Sequence, residues 1–263
     1  FEAARAIADH AAAQPPEWVD HMIPALTPTN PYGFTCPHCV YTRSPEAVGV
    51  SMFDWHQADP DHIRCKICGQ SYPDARYPEE GRLSCPRRGQ TFTYYLNTAE
   101  REHPEDRTGR LAYRWMGHPI HVSFSGIVRE KKILFMLETV RKLGLVHQLT
   151  GESRYAVRAV EILCRFAACV GNWLYHDYWD TVADCDPLFA AWHHTALPLE
   201  WKRHACAEAY ADLLQTDRPP AGPLRSRMLQ SYWGAGRIHP SADAWVLNSL
   251  VPAYDLVHDA RDE

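Results

Sequence analysis

The chain has 263 residues, with a hydrophobic fraction of 46%, a charged fraction of 22% and a formal net charge of −5. It is long enough to bury a full core, and no apolar run reaches the ~20 residues that a bilayer-spanning helix needs. The negative charge argues against nucleic acid or a membrane as a partner, although a local basic groove is compatible with it. Fifteen histidines, nine tryptophans and thirteen tyrosines suit a sugar-binding cleft, but from composition alone an ordinary core and surface is the better explanation.

The chain opens with helical patterns. Residues 1–13 are rich in alanine and place apolar side chains from Phe1 to Ala11 on one side, and Pro15 and Pro16 end this helix. A second, short helical piece follows and is interrupted at Pro24. We assign residues 1–26 to these N-terminal helices. Because the first residue is not Met and the last one directly follows a strong helix, we expect both ends to be cuts in a longer protein.

Residues 27–90 are dense in Pro, Gly and Cys and lack helical periodicity, which predicts a small module of loops and hairpins. Within it, Cys36-Pro-His-Cys39 and Cys65-Lys-Ile-Cys68 form two Cys-x-x-Cys knuckles. Two such knuckles supply the four thiolates of a closed tetrahedral site, so we predict a structural zinc ion. Two disulfides or a redox pair are the alternative. The segment between the knuckles carries no basic stripe, so we do not expect it to bind nucleic acid.

The rest of the chain, residues 91–263, is mainly helical after a β-like stretch at 91–96. One long helix is predicted to follow Ser125–Gly126, and the break at 150–152 separates it from a second helix with Thr150 or Ser153 as its cap. Further helices are predicted near 206–214 and from Ser241. Helices of this length joined by short loops pack as antiparallel hairpins. We therefore predict a mainly α fold of antiparallel helix hairpins with a zinc-ribbon-like insertion near the N-terminus. The helices would make an incomplete ring or solenoid that continues beyond the chain end.

The stretch from Tyr232 to Asp259 has the most distinctive chemistry. Trp233 stands beside a glycine-containing loop that leads through Arg237 and His239 into the last helix. Asn248 lies one and a half turns inside that helix, so a guanidinium, an imidazole, an indole and an amide meet near its entrance. This lining suits an anionic sugar. The alternative for Arg237 is an ion pair with one of the aspartates of the same helix, Asp243 or Asp255.

A second candidate lining lies at the C-terminal end of the helix that follows the break at 150–152. Asn172 and His176 belong to a nine-residue run that also carries phenol, indole and carboxylate groups. This run could line a saccharide cleft, or it could be an aromatic cluster with solvated carboxylates at a helix end. A carboxylate pair for hydrolysis among Asp177, Asp180 and Asp184 is a weaker interpretation than a polar surface turn.

The motifs together resemble the heparinase II/III-type polysaccharide lyases, including the oligo-alginate and exo-heparin lyase branch. The resemblance rests on the cysteine module, on Tyr77-Pro-Glu79 and on three longer segments: HVSFSGIVRE at 121–130, LTGESRYAVRAVEILCRFA at 149–167 and WGAGRIHPSADAWVLNSLVPAYD at 233–255. It implies an (α/α) toroid followed by β-sandwich domains, and β-elimination at a uronic acid. The chain would then be the N-terminal part of such a protein and hold an incomplete (α/α) toroid.

The resemblance also implies roles for individual residues. Arg237 matches the kind of position at which the family places an arginine that neutralises the uronate carboxylate, and His239 is a further catalytic candidate. Asn248, Tyr232 and Trp233 would contact the sugar. The catalytic His and Tyr of the family usually come from later helices and the sandwich, and no residue here matches them.

We therefore predict a polysaccharide lyase acting on a uronic-acid polysaccharide of the glycosaminoglycan or alginate type, located in the periplasm or secreted. A uronyl hydrolase on the same toroid and a non-catalytic carbohydrate-binding protein are the alternatives. The sequence does not predict the oligomeric state, the particular uronate, or endo versus exo action.

Overall fold

A computed structural model describes residues 1–26, 28, 36–42, 53–85, 89–96, 113–115, 118–120, 123–173 and 243–260. Helices account for about 55% of these residues, which agrees with the predicted mainly α composition. The helices are α1 (Glu2–Ala12), α2 (Glu17–Met22), α3 (Pro37–Thr42), α4 (Phe124–Thr150), α5 (Ser153–Val170) and α6 (Asp243–Asp255). The strands are β1 (Phe53–His56), β2 (Asp59–Cys65), β3 (Ser71–Tyr72), β4 (Gly81–Cys85), β5 (Gln90–Tyr94), β6 (Tyr113–Trp115) and β7 (His118–Ile120).

Helix α4 is the longest element in the described part of the chain. The side chain of Ser123 accepts a hydrogen bond from the amide of Gly126 at 3.0 Å, so the helix begins at Phe124, slightly earlier than predicted. It ends at Gly151, which adopts a left-handed conformation with φ of 71°. The predicted break at 150–152 is therefore confirmed.

Helix α5 follows directly and packs against α4 as an antiparallel hairpin. Its predicted cap is wrong: Glu152 occupies the cap position, and its side chain makes no capping hydrogen bond. The hydroxyl of Thr150 instead donates to the carbonyl of Val146 at 2.7 Å, inside the last turn of α4. Thr150 therefore belongs to the end of one helix and does not start the next.

Helix α6 packs against α4 at Gly144. A Cβ atom placed on Gly144 would lie 2.8 Å from Cβ of Leu256, so the two backbones approach closely there. Ala253 and Val257 are buried at this contact, whereas Val251 and Tyr254 are 55% and 59% exposed. The described residues of α6 therefore form one buried face toward α4 and one exposed face.

The strands form three small antiparallel sheets. The first has the order β1-β2-β3, the second pairs β4 with β5 and the third pairs β6 with β7. The predicted hairpin module and the β-like stretch at 91–96 are thus observed. The pair β6–β7 was not predicted and lies where the sequence indicated the onset of helices. Strands of three residues carry too little periodicity to be recognised.

Two hydrophobic cores are present in the described residues, and α4 belongs to both. The larger core joins α1, α2, α4, α5 and α6, and the smaller one surrounds the cysteines of the module. The first turns of α4 contribute Phe124 and Ile127 to the smaller core, whereas its later turns contribute to the larger one. The module is therefore packed onto the start of α4. These helices do not by themselves form a ring, and none of the described helices has the length and apolarity for crossing a membrane.

Candidate functional site

Four cysteine side chains of the module converge on one point. The Sγ atoms of Cys36, Cys39, Cys65 and Cys68 all lie within 4.8 Å of one another. The Sγ distance is 3.6 Å between Cys36 and Cys68 and 3.7 Å between Cys39 and Cys65. A tetrahedron of sulfurs at ~2.3 Å from a metal has edges of roughly 3.8 Å, whereas a disulfide needs ~2.05 Å. The four cysteines can therefore hold a metal ion, and their sulfurs are too far apart for disulfides.

Local structure places each sulfur. Cys36 and Cys39 flank the start of α3, where Pro37 suits the first helical position. Cys65 ends β2 and pairs with Phe53 of β1. The turn after Cys65 is closed by a hydrogen bond from the amide of Gly69 to the carbonyl of Cys65 at 2.9 Å, and Gly69 has a φ of 74° that favours glycine. This turn directs the sulfur of Cys68 toward the other three.

Burial and backbone amides act in opposite directions on the thiols of the centre. Burial raises the pKa of the Cys36 thiol to about 11, although the amide of Cys39 and the hydroxyl of Tyr72 oppose that increase. Burial also acts to raise the pKa of Cys68, but the amide of Gln70 and the neighbouring sulfurs outweigh it and hold the pKa below its usual range. Amides that point at sulfur stabilise the thiolate form, and a divalent ion would supply the missing positive charge.

Tyr72 connects this four-cysteine centre to helix α4. Its hydroxyl lies 3.1 Å from Sγ of Cys36 and donates to it when the sulfur is a thiolate. Its ring stacks on Phe124, with centroids 4.2 Å apart and planes 12° apart, and meets Phe53 edge-on at 5.7 Å. Hydrogen bonds to ligand sulfurs and a packed apolar shell are features that tune and hold metal sites. The centre therefore has its supporting contacts within the described residues.

A cleft of about 820 Å³ lies beside the far end of the β1–β2 hairpin. Its walls come from α1, the β1–β2 turn, α4 and α6. The lining residues are Ile7, Trp55, His56, Gln57, Lys131, Leu134, Phe135, Leu137, Glu138, Arg141, Lys142, Asn248 and Ser249. The lining thus combines aromatic, amide and cationic side chains.

Charge in this cleft is mainly positive. Lys131, Arg141 and Lys142 face a single carboxylate, Glu138, which is bound by Lys142 at 2.6 Å. Lys131 is half-buried and Arg141 is exposed. Neither side chain forms an ion pair with any residue in the described ranges. The chain as a whole has a net charge of −5. A cationic cleft on a negatively charged chain concentrates anions locally.

Most residues predicted to contact substrate lie outside the described residues: Tyr232, Trp233, Arg237, His239 and His176. Two predicted contacts are described. Asn248 is exposed and lines the cleft. Asn172 is also exposed but lies at the end of α5, outside the cleft, where its carbonyl accepts a hydrogen bond from Gln90 at 2.6 Å and its amide donates to Ala168 at 3.3 Å. The structure therefore does not bring Asn172 and Asn248 together.

Other lining residues were not singled out from the sequence, chiefly Trp55, Lys131, Phe135 and Arg141. On α4, residues 131, 134–135, 138 and 141–142 recur every three or four positions, so they share one face of the helix. A basic and aromatic stripe of this kind was a sequence feature that could have indicated a binding face. Its opposing wall, Trp55 on β1, lies about 80 residues away and could not be paired with it from spacing alone.

Comparison of the chain with protein-family models, curated proteins and solved structures found no match. The resemblance to the heparinase II/III-type lyases therefore rests on the motifs quoted above alone.

Proposed function

We propose that the chain is the N-terminal part of a polysaccharide lyase that cleaves a uronic-acid polysaccharide by β-elimination. In this proposal the helical hairpins begin an (α/α) toroid, and the protein acts in the periplasm or is secreted. The observation that carries the proposal is the position of Asn248. This predicted sugar contact lines a cleft whose other residues include two aromatic rings and three cations. Such a lining is suited to an acidic saccharide.

A second observation supports the family resemblance. Segments that carry the resemblance are far apart in sequence and contact one another in the structure. Glu79 of the Tyr-Pro-Glu motif accepts a hydrogen bond from Ser125 of the 121–130 segment at 2.7 Å. The 149–167 segment forms the turn into α5 and most of that helix. Residues 243–255 of the last segment form α6. These motifs therefore act as parts of one folded unit.

The chemistry of the proposal follows from the acidity of the uronate C5 proton. That proton becomes removable when a cation neutralises the adjacent carboxylate and stabilises the charge that develops on it. Arg237 is our candidate for this role, because a guanidinium binds a carboxylate through two parallel hydrogen bonds. His239 is a supporting candidate beside it. The catalytic His and Tyr of the family, which no residue here matches, would take the C5 proton and protonate the leaving glycosidic oxygen. Tyr232, Trp233 and Asn248 would orient the sugar.

We also propose that the metal of the four-cysteine centre is zinc with a structural role. All four donors are sulfur, which suits zinc and leaves no position for substrate. Cys36, Cys39, Cys65 and Cys68 would hold the ion, and Tyr72 would support Cys36 from outside the donor set. The ion would hold together a module whose own core is small.

The test of the lyase proposal is a panel of heparin, heparan, chondroitin, hyaluronan and alginate incubated with the protein. β-Elimination creates a conjugated double bond, so we expect ultraviolet absorbance to rise with at least one substrate. Loss of absorbance from an already unsaturated oligosaccharide would instead identify a uronyl hydrolase. Binding without any change in absorbance across the panel would identify a non-catalytic carbohydrate-binding protein.

A further inference from the structure

We propose that the cleft between the β1–β2 turn, α4 and α6 is a binding site for an extended acidic saccharide, with Lys131 and Arg141 as its anion contacts. The proposal rests on the proposed function for the choice of a uronate chain as ligand, and it adds two cations that lie outside the motifs of the family resemblance. Its evidence is the arrangement of charge and aromatic surface in the cleft, together with one unsatisfied polar group.

The cations are spaced for more than one anionic group. Lys131 and Arg141 are ten residues apart on α4, so they are separated by about 15 Å along the helix axis. A single small anion cannot contact both. Lys142 is already neutralised by Glu138 at 2.6 Å, whereas Lys131 and Arg141 have no ion-pair partner in the part of the chain that the structure describes. The pair is therefore positioned for carboxylates or sulfates on different sugar units.

The apolar wall of the cleft is an aromatic pair. Trp55 and Phe135 have ring centroids 5.5 Å apart at 51°, and both rings are half-buried. The indole N–H of Trp55 donates to the carbonyl of Pro60 at 2.9 Å, which fixes the ring in the wall. Fixed, partly exposed rings beside polar groups suit the C–H faces of a sugar, since they supply contact area at little entropic cost.

A polar group in the same lining lacks its partner. Oε1 of Gln57 is buried and accepts no hydrogen bond among the described residues. Leaving a buried acceptor unsatisfied is unfavourable, and a ligand hydroxyl would satisfy it. Asn248, Ser249 and His56 add neutral polar groups to the lining. The cations would bind the acidic groups of a ligand and the neutral acceptors would bind its hydroxyls. Together they favour an acidic saccharide over a simple polyanion.

The experiment is calorimetric titration of the chain with four hexameric ligands. These are a uronate-containing oligosaccharide, its sulfated counterpart, a neutral glucan and single-stranded DNA. We expect one or both acidic saccharides to bind, the neutral glucan to bind much more weakly, and the affinity to fall with added salt. Stronger binding of DNA than of either acidic saccharide would overturn the proposal, because it would indicate charge without sugar recognition.

Variants separate the two kinds of contact. Lys131→Gln and Arg141→Gln should each weaken binding by about tenfold, and each should reduce its salt dependence. Gln57→Leu should weaken binding by a few-fold and leave the salt dependence unchanged. Arg82→Gln is the matched control, because Arg82 is exposed on β4 and does not line the cleft. If the Lys131 and Arg141 variants bind like the control, the cleft is not the site.

The two proposals can fail separately. A protein that cleaves uronates while the Lys131 and Arg141 variants keep full affinity would retain the lyase function and lose this site. A protein that binds acidic saccharides through these residues but never forms unsaturated product would retain the site and lose the lyase function. Circular dichroism of each variant establishes that it is folded before its affinity is compared.

Discussion

The carboxylate of Glu79 binds Ser125 through two hydrogen bonds, with Oε2 accepting from the hydroxyl at 2.7 Å and Oε1 accepting from the amide at 3.1 Å. Thr93 of β5 donates to the same carboxylate at 2.7 Å. Ser125 lies in the first turn of α4, where backbone amides have no partner within the helix and a negative charge is favourable. Glu79 therefore caps α4 from the cysteine module and joins the two.

We expect Glu79→Ala to lower the free energy of unfolding by about 1–3 kcal/mol, because it leaves one amide and two hydroxyls without their acceptor. Glu79→Gln should fall between the wild type and the Ala variant, since its amide oxygen can still accept a hydrogen bond. Urea denaturation at neutral pH measures the difference. Equal stability of all three proteins would show that this joint contributes nothing.

The four-cysteine centre predicts one zinc ion per chain. We expect Cys65→Ser to reduce the bound zinc and to expose β2 and β3 first, because Cys65 ends β2. Hydrogen exchange with mass spectrometry measures the exposure, and elemental analysis measures the metal. Cys164→Ser is the control, since Cys164 is exposed on α5 and outside the cluster. Fresh protein without bound zinc would contradict the assignment.

The contact between α1 and α5 predicts a pH dependence of stability. The hydroxyl of Tyr155 donates to Asp9 at 2.7 Å and, with Arg154, holds the pKa of that carboxyl below its ordinary value of 3.8. A lowered pKa in the folded state stabilises the protein above the ordinary value, and this contribution disappears as the pH falls through the lowered pKa.

We therefore expect Tyr155→Phe to destabilise the protein at neutral pH and to differ less from the wild type as the pH falls below the ordinary carboxyl pKa of 3.8. Thermal unfolding of both proteins across this range measures the gap. In an Asp9→Asn background, which carries no titrating group at this position, Tyr155→Phe should lower the stability by the same amount at every pH in this range. A gap between Tyr155→Phe and the wild type that stays constant with pH would mean that the tyrosine acts through packing alone.

The close approach of α4 and α6 predicts the cost of a single methyl group. Gly144→Ala should destabilise the protein by about 1–3 kcal/mol, because the new Cβ would lie 2.8 Å from Cβ of Leu256 and 3.5 Å from the carbonyl of Ala253. Gly171→Ala is the matched control: its φ of −63° suits alanine and no neighbouring atom lies within 4 Å. Equal stability of the two variants would show that α6 does not pack closely against Gly144.

Arg237 is the residue by which the lyase proposal is tested most directly. In the active protein, we expect Arg237→Ala to raise the barrier of the elimination by about 2–4 kcal/mol, seen as a loss of kcat/KM on the preferred uronate. Arg82→Ala should leave kcat/KM unchanged. Unchanged kinetics of the Arg237 variant on every accepted substrate would remove this residue from the site.

Features of the fold and the candidate site that depend on neighbouring residues in the sequence were predictable, whereas features that depend on tertiary contacts were not. The cysteine spacing and the break at Gly151 are local patterns, and the structure agrees with both. The cap of α5 was not predictable, because Glu152 has no capping side-chain bond and Thr150 bonds back into α4. The cleft was not predictable either, since its walls come from four separate elements and only tertiary packing brings Trp55 beside Phe135.

The β1–β2 hairpin has one further consequence. Phe53 pairs with Cys65 at the sulfur end of the hairpin, Trp55 pairs with Ile63, and the chain then turns through His56 and Gln57 into the cleft wall. The two ends are thus connected by a short two-stranded hairpin, whose register shifts between Trp55 and His56. We therefore expect growth in zinc-poor medium or treatment with a strong chelator to change the carbohydrate affinity, although no residue of the cleft has been substituted.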